Sequence, residues 1–145
     1  SNGDTYLEPE AVERFCGPEV AGARVAASAG PPRSPDGVRA FVTDGRLTGI
    51  TQSVGSGTAA EPVGIARFGP DGRDDLVAAI GRLRQRGVAS AAPWMAALDE
   101  MVTAGGAPVA VDWWPRSQWW EIDRADDLLE LERRLSPSLP RIGKR

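Results

Sequence analysis

One short segment constrains the fold of this chain more than any other. It is an apolar run that ends in an acidic residue and is followed directly by the acidic start of a helix. The segment reads Trp119-Trp120-Glu121-Ile122-Asp123-Arg124-Ala125-Asp126-Asp127-Leu128. This pattern predicts a strand, a polar strand end and then a helix, which is the arrangement by which α/β proteins place chemistry at the carboxyl edge of a sheet. We therefore expect an α/β chain that presents the Asp123 carboxylate at a strand end.

The chain contains no histidine, and Cys16 is its single cysteine. These two facts exclude a histidine base, a Ser-His triad, an internal disulfide and a structural zinc site. A metal site would have to hold a hard cation such as Mg²⁺ on carboxylates and water. Lys144 is the single lysine among 17 basic residues, so phosphate groups would be met by arginine, backbone N–H groups or metal.

Length and charge indicate one ordinary domain. We assign residues 1–135 of the 145 to that domain and 136–145, with two prolines and three basic residues, to a linker or tail toward a following domain. The formal net charge of −3 argues against a nucleic-acid partner. No apolar run is long enough to cross a membrane. The lone cysteine fits a reducing compartment, so we expect a cytoplasmic protein.

Hydrophobic periodicity and turn residues predict mixed strands and helices. The predicted elements are a helix from Pro9 closed by Gly17, a strand over 23–29, a hairpin over 38–51, a strand over 63–68, helices over 74–86 and from near Pro93, strands over 108–114 and 118–122, and a helix over 126–135. Asp44-Gly45 predicts a type I′ turn in the hairpin, and residues 30–37 and 53–60 predict loops. This order predicts an α/β fold with a mixed sheet flanked by helices.

Four motifs in the same order resemble those of nucleotidyltransferases of the sugar-phosphate and choline-phosphate type. They are Asn2-Gly3-Asp4 with the following Pro9-Glu10-Ala11-Val12, the hairpin turn Asp44-Gly45-Arg46, the strand Glu61-Pro62-Val63-Gly64-Ile65-Ala66-Arg67-Phe68, and Trp120-Glu121-Ile122-Asp123. The resemblance implies a nucleotide-diphospho-sugar transferase-like fold in which Asp4 and Asp123 hold a catalytic Mg²⁺.

One part of the family pattern has no counterpart in this sequence. Family members begin with a strand and a glycine-rich, arginine-bearing loop that grips the nucleotide. The nearest candidate here, Ser53-Val54-Gly55-Ser56-Gly57, follows the hairpin and has no basic residue. We therefore expect a reduced fold without the usual N-terminal loop. The chain is then a fragment of a longer domain, a natural minimal version, or one half of a site completed by a second subunit, as in a homodimer.

Within the family, the chain resembles most closely the small cytidylyltransferase domain that is fused ahead of a phosphoenolpyruvate phosphomutase in fosfomycin biosynthesis. This resemblance implies a bifunctional enzyme of phosphonate antibiotic biosynthesis that uses Mg²⁺. It would transfer CMP from CTP to 2-hydroxyethylphosphonate, a small phosphonate alcohol, and release pyrophosphate. The alternatives are a nucleotidyltransferase for a sugar phosphate or phosphocholine, and a non-catalytic dimerisation or docking domain.

Both predicted metal ligands have a plainer interpretation. Asp123 could instead be the N-cap of the last helix, with Asp126 near its third position. Asp4 could be an ordinary turn aspartate beside Gly3. The metal role requires that the two carboxylates converge in space.

Five further residues are candidates for substrate binding: Gly64, Arg67, Arg116, Glu121 and Arg124. Gly64 would let a substrate approach the backbone, although a strand glycine also marks bulges. Glu121 lies on the same side of the strand as Asp123, and the three arginines could clamp phosphate or phosphonate.

Four tryptophans cluster in the last two predicted strands: Trp113, Trp114, Trp119 and Trp120. They could form a cage for a choline-like cation, but we favour core packing together with a partner interface. Strand alternation turns two of the four away from the core.

Overall fold

The computed structural model describes residues 4–17, 21–30, 38–51, 58–88 and 94–136. Its elements are β1 (Thr5–Leu7), α1 (Pro9–Phe15), β2 (Ala23–Ala29), β3 (Arg39–Thr43), β4 (Arg46–Thr51), β5 (Thr58–Phe68), α2 (Pro70–Gln85), α3 (Trp94–Thr103), β6 (Val109–Trp113), a 3-10 turn (Arg116–Gln118), β7 (Trp119–Glu121) and α4 (Ala125–Leu135). The predicted α/β class is confirmed. Within these ranges no helix is long and apolar enough to cross a membrane.

Five strands form one mixed sheet in the order β2-β5-β3-β4-β6. Strands β2 and β6 are parallel, and the other pairs are antiparallel. The sheet also closes on itself, because Arg46 of β4 pairs with Ala110 of β6 and the Val111 N–H donates to the Gly45 carbonyl oxygen at 2.9 Å. The mixed sheet is therefore confirmed, whereas its closure into a barrel was not predicted.

The turn between β3 and β4 has the predicted type. Asp44 has φ of 50° and Gly45 has φ of 72°. Two successive positive φ values define the type I′ turn, whose twist matches that of the flanking strands. The hairpin prediction is confirmed.

Two elements begin four or more residues before their predicted starts. Helix α2 begins at Pro70 rather than at residue 74, because proline is well suited to the first helical position. Strand β5 begins at Thr58, inside the predicted loop 53–60, because Thr58–Ala60 pair with β3. The rest of that loop, the predicted loop 31–37, Pro93 and the tail 137–145 lie outside the described residues.

Two apolar clusters lie on opposite faces of the barrel wall. The first joins residues of all five barrel strands to α2 and α3, with Val25, Leu98, Met101 and Val109 almost fully buried. The second lies outside β2 and β5, where Phe15 of α1 meets Trp114 edge-on, with ring centroids 5.8 Å apart. This second cluster holds α1, β1 and β7 against the barrel.

Strands β1 and β7 form a separate two-stranded ribbon over that second cluster. They are antiparallel, with Thr5 opposite Glu121, Tyr6 opposite Trp120, and Leu7 opposite Trp119. Leu7 and Trp119 belong to the second cluster. Apolar packing therefore fixes which face of the ribbon meets the barrel.

Candidate active site

The β1–β7 ribbon brings the two predicted metal ligands to one end of the molecule. Its hydrogen bonding continues one step past Thr5 and Glu121, because the Ile122 N–H donates to the Asp4 carbonyl oxygen at 2.8 Å. Asp123 follows Ile122 directly in the chain. Asp4 thus lies opposite Ile122, the residue before Asp123, although almost the whole chain separates them in sequence.

The Asp4 side chain has the property expected of a cation ligand. Its Oδ1 is buried and accepts no hydrogen bond from any described residue. A buried carboxylate oxygen without a donor is costly, so a bound cation would satisfy it. The described residues hold no group of three acidic or cysteine side chains that could hold a metal. Mg²⁺ takes one or two carboxylates and completes its shell with water and phosphate, so the chemistry of a two-aspartate donor set is compatible with this ion.

The start of α4 does not use the Asp123 carboxylate. The N-cap residue is Arg124, so Asp127 occupies the third helical position. The Asp127 Oδ2 accepts from the backbone N–H of Arg124 at 2.8 Å and of Asp123 at 3.2 Å. The alternative interpretation of Asp123 as the N-cap, with Asp126 near the third position, is therefore wrong by one residue. The exposed Asp123 side chain is left for another role.

Gly64 lies at a bulge in β5 that faces β1. The β2–β5 register shifts between Val25 and Ala27, and Gly64 has φ of 89° within the irregular stretch. A Cβ built on Gly64 would lie 3.9 Å from the Thr5 Oγ1. Thr5 is opposite Glu121 in the ribbon, so Gly64, Thr5 and Glu121 meet on one face. Three predicted site residues, Asp4, Gly64 and Glu121, are therefore close to the ribbon end.

The three candidate arginines lie in three different places. Arg124 follows Asp123 at the start of α4 and is exposed. Arg116, in the 3-10 turn, has its Nη1 2.7 Å from the Glu61 Oε2. Arg67 donates from Nη1 to the carbonyl oxygens of Phe15 at 3.3 Å and Gly17 at 2.6 Å, where α1 ends. Only Arg124 is adjacent in sequence to a predicted metal ligand.

The overall fold resembles that of solved nucleotidyltransferases. A CTP:phosphocholine cytidylyltransferase from Streptococcus pneumoniae superposes with a TM-score of 0.63 at 17% identity, over 91% of this chain and 54% of that one. An inositol-1-phosphate CTP transferase from T. maritima has a TM-score of 0.63 at 16% identity, over 95% and 55% of the two chains. The chain has a nucleotidyltransferase-like fold.

A Bacillus anthracis protein assigned as a glucose-1-phosphate thymidylyltransferase shares this fold, with a TM-score of 0.64 at 14% identity over 98% and 55% of the two chains. The chain thus spans about half the length of the solved structures that it matches. No protein-family description matches the sequence. No curated protein matches it either.

The tryptophans of this nucleotidyltransferase-like fold do not form a shared cage. Trp114 and Trp119 are each 2% exposed in the second cluster, whereas Trp113 is 43% exposed. Trp120 lies on the other ribbon face, where the Arg134 guanidinium carbon of α4 is 4.0 Å from its ring centroid. The predicted core packing is confirmed for Trp114 and Trp119. At Trp120 the ring is covered by the chain's own last helix rather than by a predicted partner.

Sequence reasoning missed a buried polar group behind the ribbon. Ser28 of β2 donates from Oγ to the Trp114 carbonyl oxygen at 2.6 Å and accepts from the Trp119 Nε1 at 2.6 Å. Its partner across the sheet is Glu61, which pairs with Arg116. Glu61 was visible as the first residue of a family motif, but nothing in the small-residue strand around Ser28 indicated its two contacts.

Proposed function

We propose that this chain is the acceptor- and metal-binding part of a cytidylyltransferase. It transfers CMP from CTP to a small phosphonate alcohol, 2-hydroxyethylphosphonate, and releases pyrophosphate. The observation that carries the proposal is the ribbon end, where the Oδ1 of Asp4 is buried without a hydrogen-bond donor among the described residues and the Asp4 backbone pairs with Ile122, the residue before Asp123. The nucleotidyltransferase-like fold supports it.

The reaction suits a chain without histidine. A phosphonate oxygen attacks the α-phosphorus of CTP, a new P–O bond forms, and the bond to the pyrophosphate leaving group breaks. A phosphonate is already anionic near neutral pH, so the nucleophile needs no strong base. Positioning and charge stabilisation carry such a transfer, and carboxylates, arginines and backbone groups can supply both.

Asp4 and Asp123 are the residues that would hold Mg²⁺. When bound, the ion would neutralise negative charge on the nucleotide phosphates. Glu121 points to the same ribbon face as Thr5 and Gly64, where it would border the metal and the acceptor. Gly64 has no side chain, so the acceptor could approach the β5 backbone closely.

The arginines would have different roles in this site. Arg124 is exposed beside Asp123 and would attract an anion to the start of α4. Arg116 would act on the acceptor side, with its orientation set by Glu61. The two carbonyl contacts of Arg67 favour a structural role at the end of α1 over phosphate binding.

The remainder of the nucleotide site would come from outside the described residues. Because the chain spans about half the length of its solved neighbours, we include in the proposal a homodimer in which the second copy supplies the rest of the CTP contacts. A fused phosphomutase domain after residues 136–145 and a cytoplasmic location remain predictions from the sequence.

The test is pyrophosphate release from CTP and Mg²⁺ with 2-hydroxyethylphosphonate as acceptor. We expect release by the wild-type chain and a loss of about 100-fold or more in Asp123→Asn. Asp126→Asn is the matched control, because it removes an exposed carboxylate three residues further on in α4. It should keep its activity. Folded wild-type protein that releases no pyrophosphate would contradict the proposal, as would an Asp123→Asn variant as active as the control.

The same assay separates the acceptors. Phosphocholine and a sugar 1-phosphate replace the phosphonate in parallel reactions. Because Arg134 already lies over the Trp120 ring, we expect phosphocholine to be the poorer acceptor. If phosphocholine or the sugar phosphate reacts faster than the phosphonate, that compound is the acceptor, and the proposed reaction class still holds.

A further inference from the structure

Two buried polar residues face each other across β2 and β5. Ser28 is 0% exposed and Glu61 is 6% exposed, and they are register partners. Among the residues that the structure describes, Ser28 and Glu61 are the two polar or charged residues that are buried. Burying a charge is costly unless it is paired and hydrogen-bonded, so this pair calls for a role beyond packing.

Ser28 ties the end of β6 to the start of β7. Its hydroxyl donates to the carbonyl oxygen of Trp114, and the same oxygen accepts the Trp119 indole N–H, both at 2.6 Å. One side chain of the barrel wall therefore fixes both ends of the segment that connects the two strands.

Glu61 holds the middle of that segment. Its carboxylate pairs with Arg116, the first residue of the 3-10 turn, at 2.7 Å. The exposed fraction of the Glu61 side chain is 8% and that of Arg116 is 34%, so water screens this pair less than it screens a surface pair. Residues 114–119 are thus anchored at three points to two adjacent residues of the barrel.

The anchored segment leads directly into the proposed metal site. Strand β7 is only three residues long, Trp119–Glu121, and Asp123 follows two residues later. At a rise of about 3.3 Å per residue, Asp123 lies at most about 13 Å along the chain from Trp119. So short a strand takes its position from the anchors at its start.

We propose that Ser28 and Glu61 are positioning residues for the metal-binding end of β7. They touch neither metal nor substrate, and act by fixing where the carboxylates of Glu121 and Asp123 lie relative to Asp4. The inference rests on the metal role in the proposed function. Loss of either contact should weaken metal affinity beyond any loss of stability.

The test measures metal binding without any reaction. Tb³⁺ binds carboxylate sites, and its luminescence can be excited through nearby tryptophan, here Trp119 and Trp120. We expect the wild-type chain to give a saturable signal that Asp123→Asn abolishes. Ser28→Ala and Glu61→Gln should weaken Tb³⁺ affinity about tenfold, the lower end of what loss of an outer contact costs a metal site.

Glu100→Gln is the matched control for Glu61→Gln. The Glu100 side chain is 11% exposed and pairs with Arg82 and Arg86 between α2 and α3. Thr103→Ala is the control for Ser28→Ala, because the Thr103 hydroxyl also donates to a backbone carbonyl, at 2.8 Å. Both controls should keep wild-type Tb³⁺ affinity even where the melting temperature falls.

Several results would overturn the inference. Ser28→Ala and Glu61→Gln could bind Tb³⁺ as tightly as the wild type, or Glu100→Gln could lose as much affinity as Glu61→Gln. A wild-type chain that binds no Tb³⁺ through Asp123 would also overturn it. Failure of the proposed function looks different: the wild type would bind Tb³⁺, Ser28 and Glu61 would matter for binding, and no pyrophosphate would be released.

Discussion

Replacing Gly72 by alanine tests how closely α2 packs on the start of β2. Gly72 lies in the first turn of α2, and a Cβ added there would be 2.5 Å from the carbonyl oxygen of Gly22 and 2.6 Å from its carbonyl carbon. Carbon–oxygen contacts normally begin at about 3.3 Å. Both neighbours are backbone atoms, so no side chain can rotate away, and α2 must move relative to β2.

The expected cost is the sum of two opposing effects. Overpacking costs about 1–3 kcal/mol, and moving α2 also strains the hydrogen bond from the Gly69 N–H to the Gly22 carbonyl oxygen, which is 2.7 Å long. The higher helix propensity of alanine raises the free energy of unfolding by about 1 kcal/mol at most. We expect Gly72→Ala to lower the free energy of unfolding by about 2 kcal/mol and the Tm by about 6–8 °C.

Gly81 of the same helix provides the control. A Cβ there would meet no atom within 4 Å. Gly81→Ala should therefore be stabilised by the higher helix propensity of alanine without a steric clash. Its Tm should rise by about 3 °C. The assay is thermal unfolding of both variants followed by circular dichroism. A Gly72→Ala variant as stable as the wild type, or stabilised like Gly81→Ala, would refute the close approach of α2 to β2.

Two further predictions concern carboxylates outside the site. The Asp75 Oδ2 accepts a hydrogen bond from the Ala107 N–H at 2.6 Å. Asp75→Ala should therefore lower the free energy of unfolding, measured with urea, by about 1–3 kcal/mol. An unchanged urea midpoint would contradict this contact. Hydrogen bonds from Arg82 and then Arg86 lower the pKa of Glu100. The stability that ionised Glu100 contributes should be fully present above the ordinary glutamate pKa and should be lost as the pH falls through the lowered pKa of the folded state. The free energies of unfolding of the wild type and Glu100→Gln should therefore converge in acid. A constant difference across that pH range would contradict the shift.

Features with a local cause could be predicted from the sequence. The type I′ hairpin follows from Asp44-Gly45, because only residues that tolerate positive φ fit such a turn. The helix after Asp123 follows from its acidic start and its apolar spacing, and α4 begins within one residue of the prediction. Both depend on a few consecutive residues.

Features that depend on distant residues could not be predicted in this way. The start of β5 at Thr58 depends on pairing with β3, and the barrel closes through the Arg46–Ala110 pair and the hydrogen bond from Val111 to Gly45. Neither pairing leaves a pattern in its own segment. The two contacts of Ser28 likewise join it to residues 86 and 91 positions away, so a serine in an alanine-rich strand gave no sign of them.

The candidate site falls between these two cases. Motif resemblance pointed to Asp4, Gly64 and Asp123 separately, but only the β1–β7 ribbon and the β5 bulge bring them to one region. The sequence predicted a strand over 118–122, but nothing in it indicated that this strand pairs with Thr5–Leu7, because three-residue strands carry too few positions to specify a distant partner.

Two departures from ordinary packing meet at this ribbon end. Asp4 buries a carboxylate oxygen without a hydrogen-bond donor among the described residues, and Gly64 takes a positive φ in the middle of a long strand. Either feature alone would cost stability, because one leaves a polar atom unsatisfied and the other breaks the β2–β5 ladder. Thr5 follows Asp4 directly in the chain, and its Oγ1 is the atom nearest to a Cβ built on Gly64. The unsatisfied carboxylate oxygen and the strand irregularity are therefore in the same region. Such concentrated violations of local preference are expected where binding, rather than packing, has shaped the chain, and a cation on Asp4 with an acceptor over Gly64 would account for both.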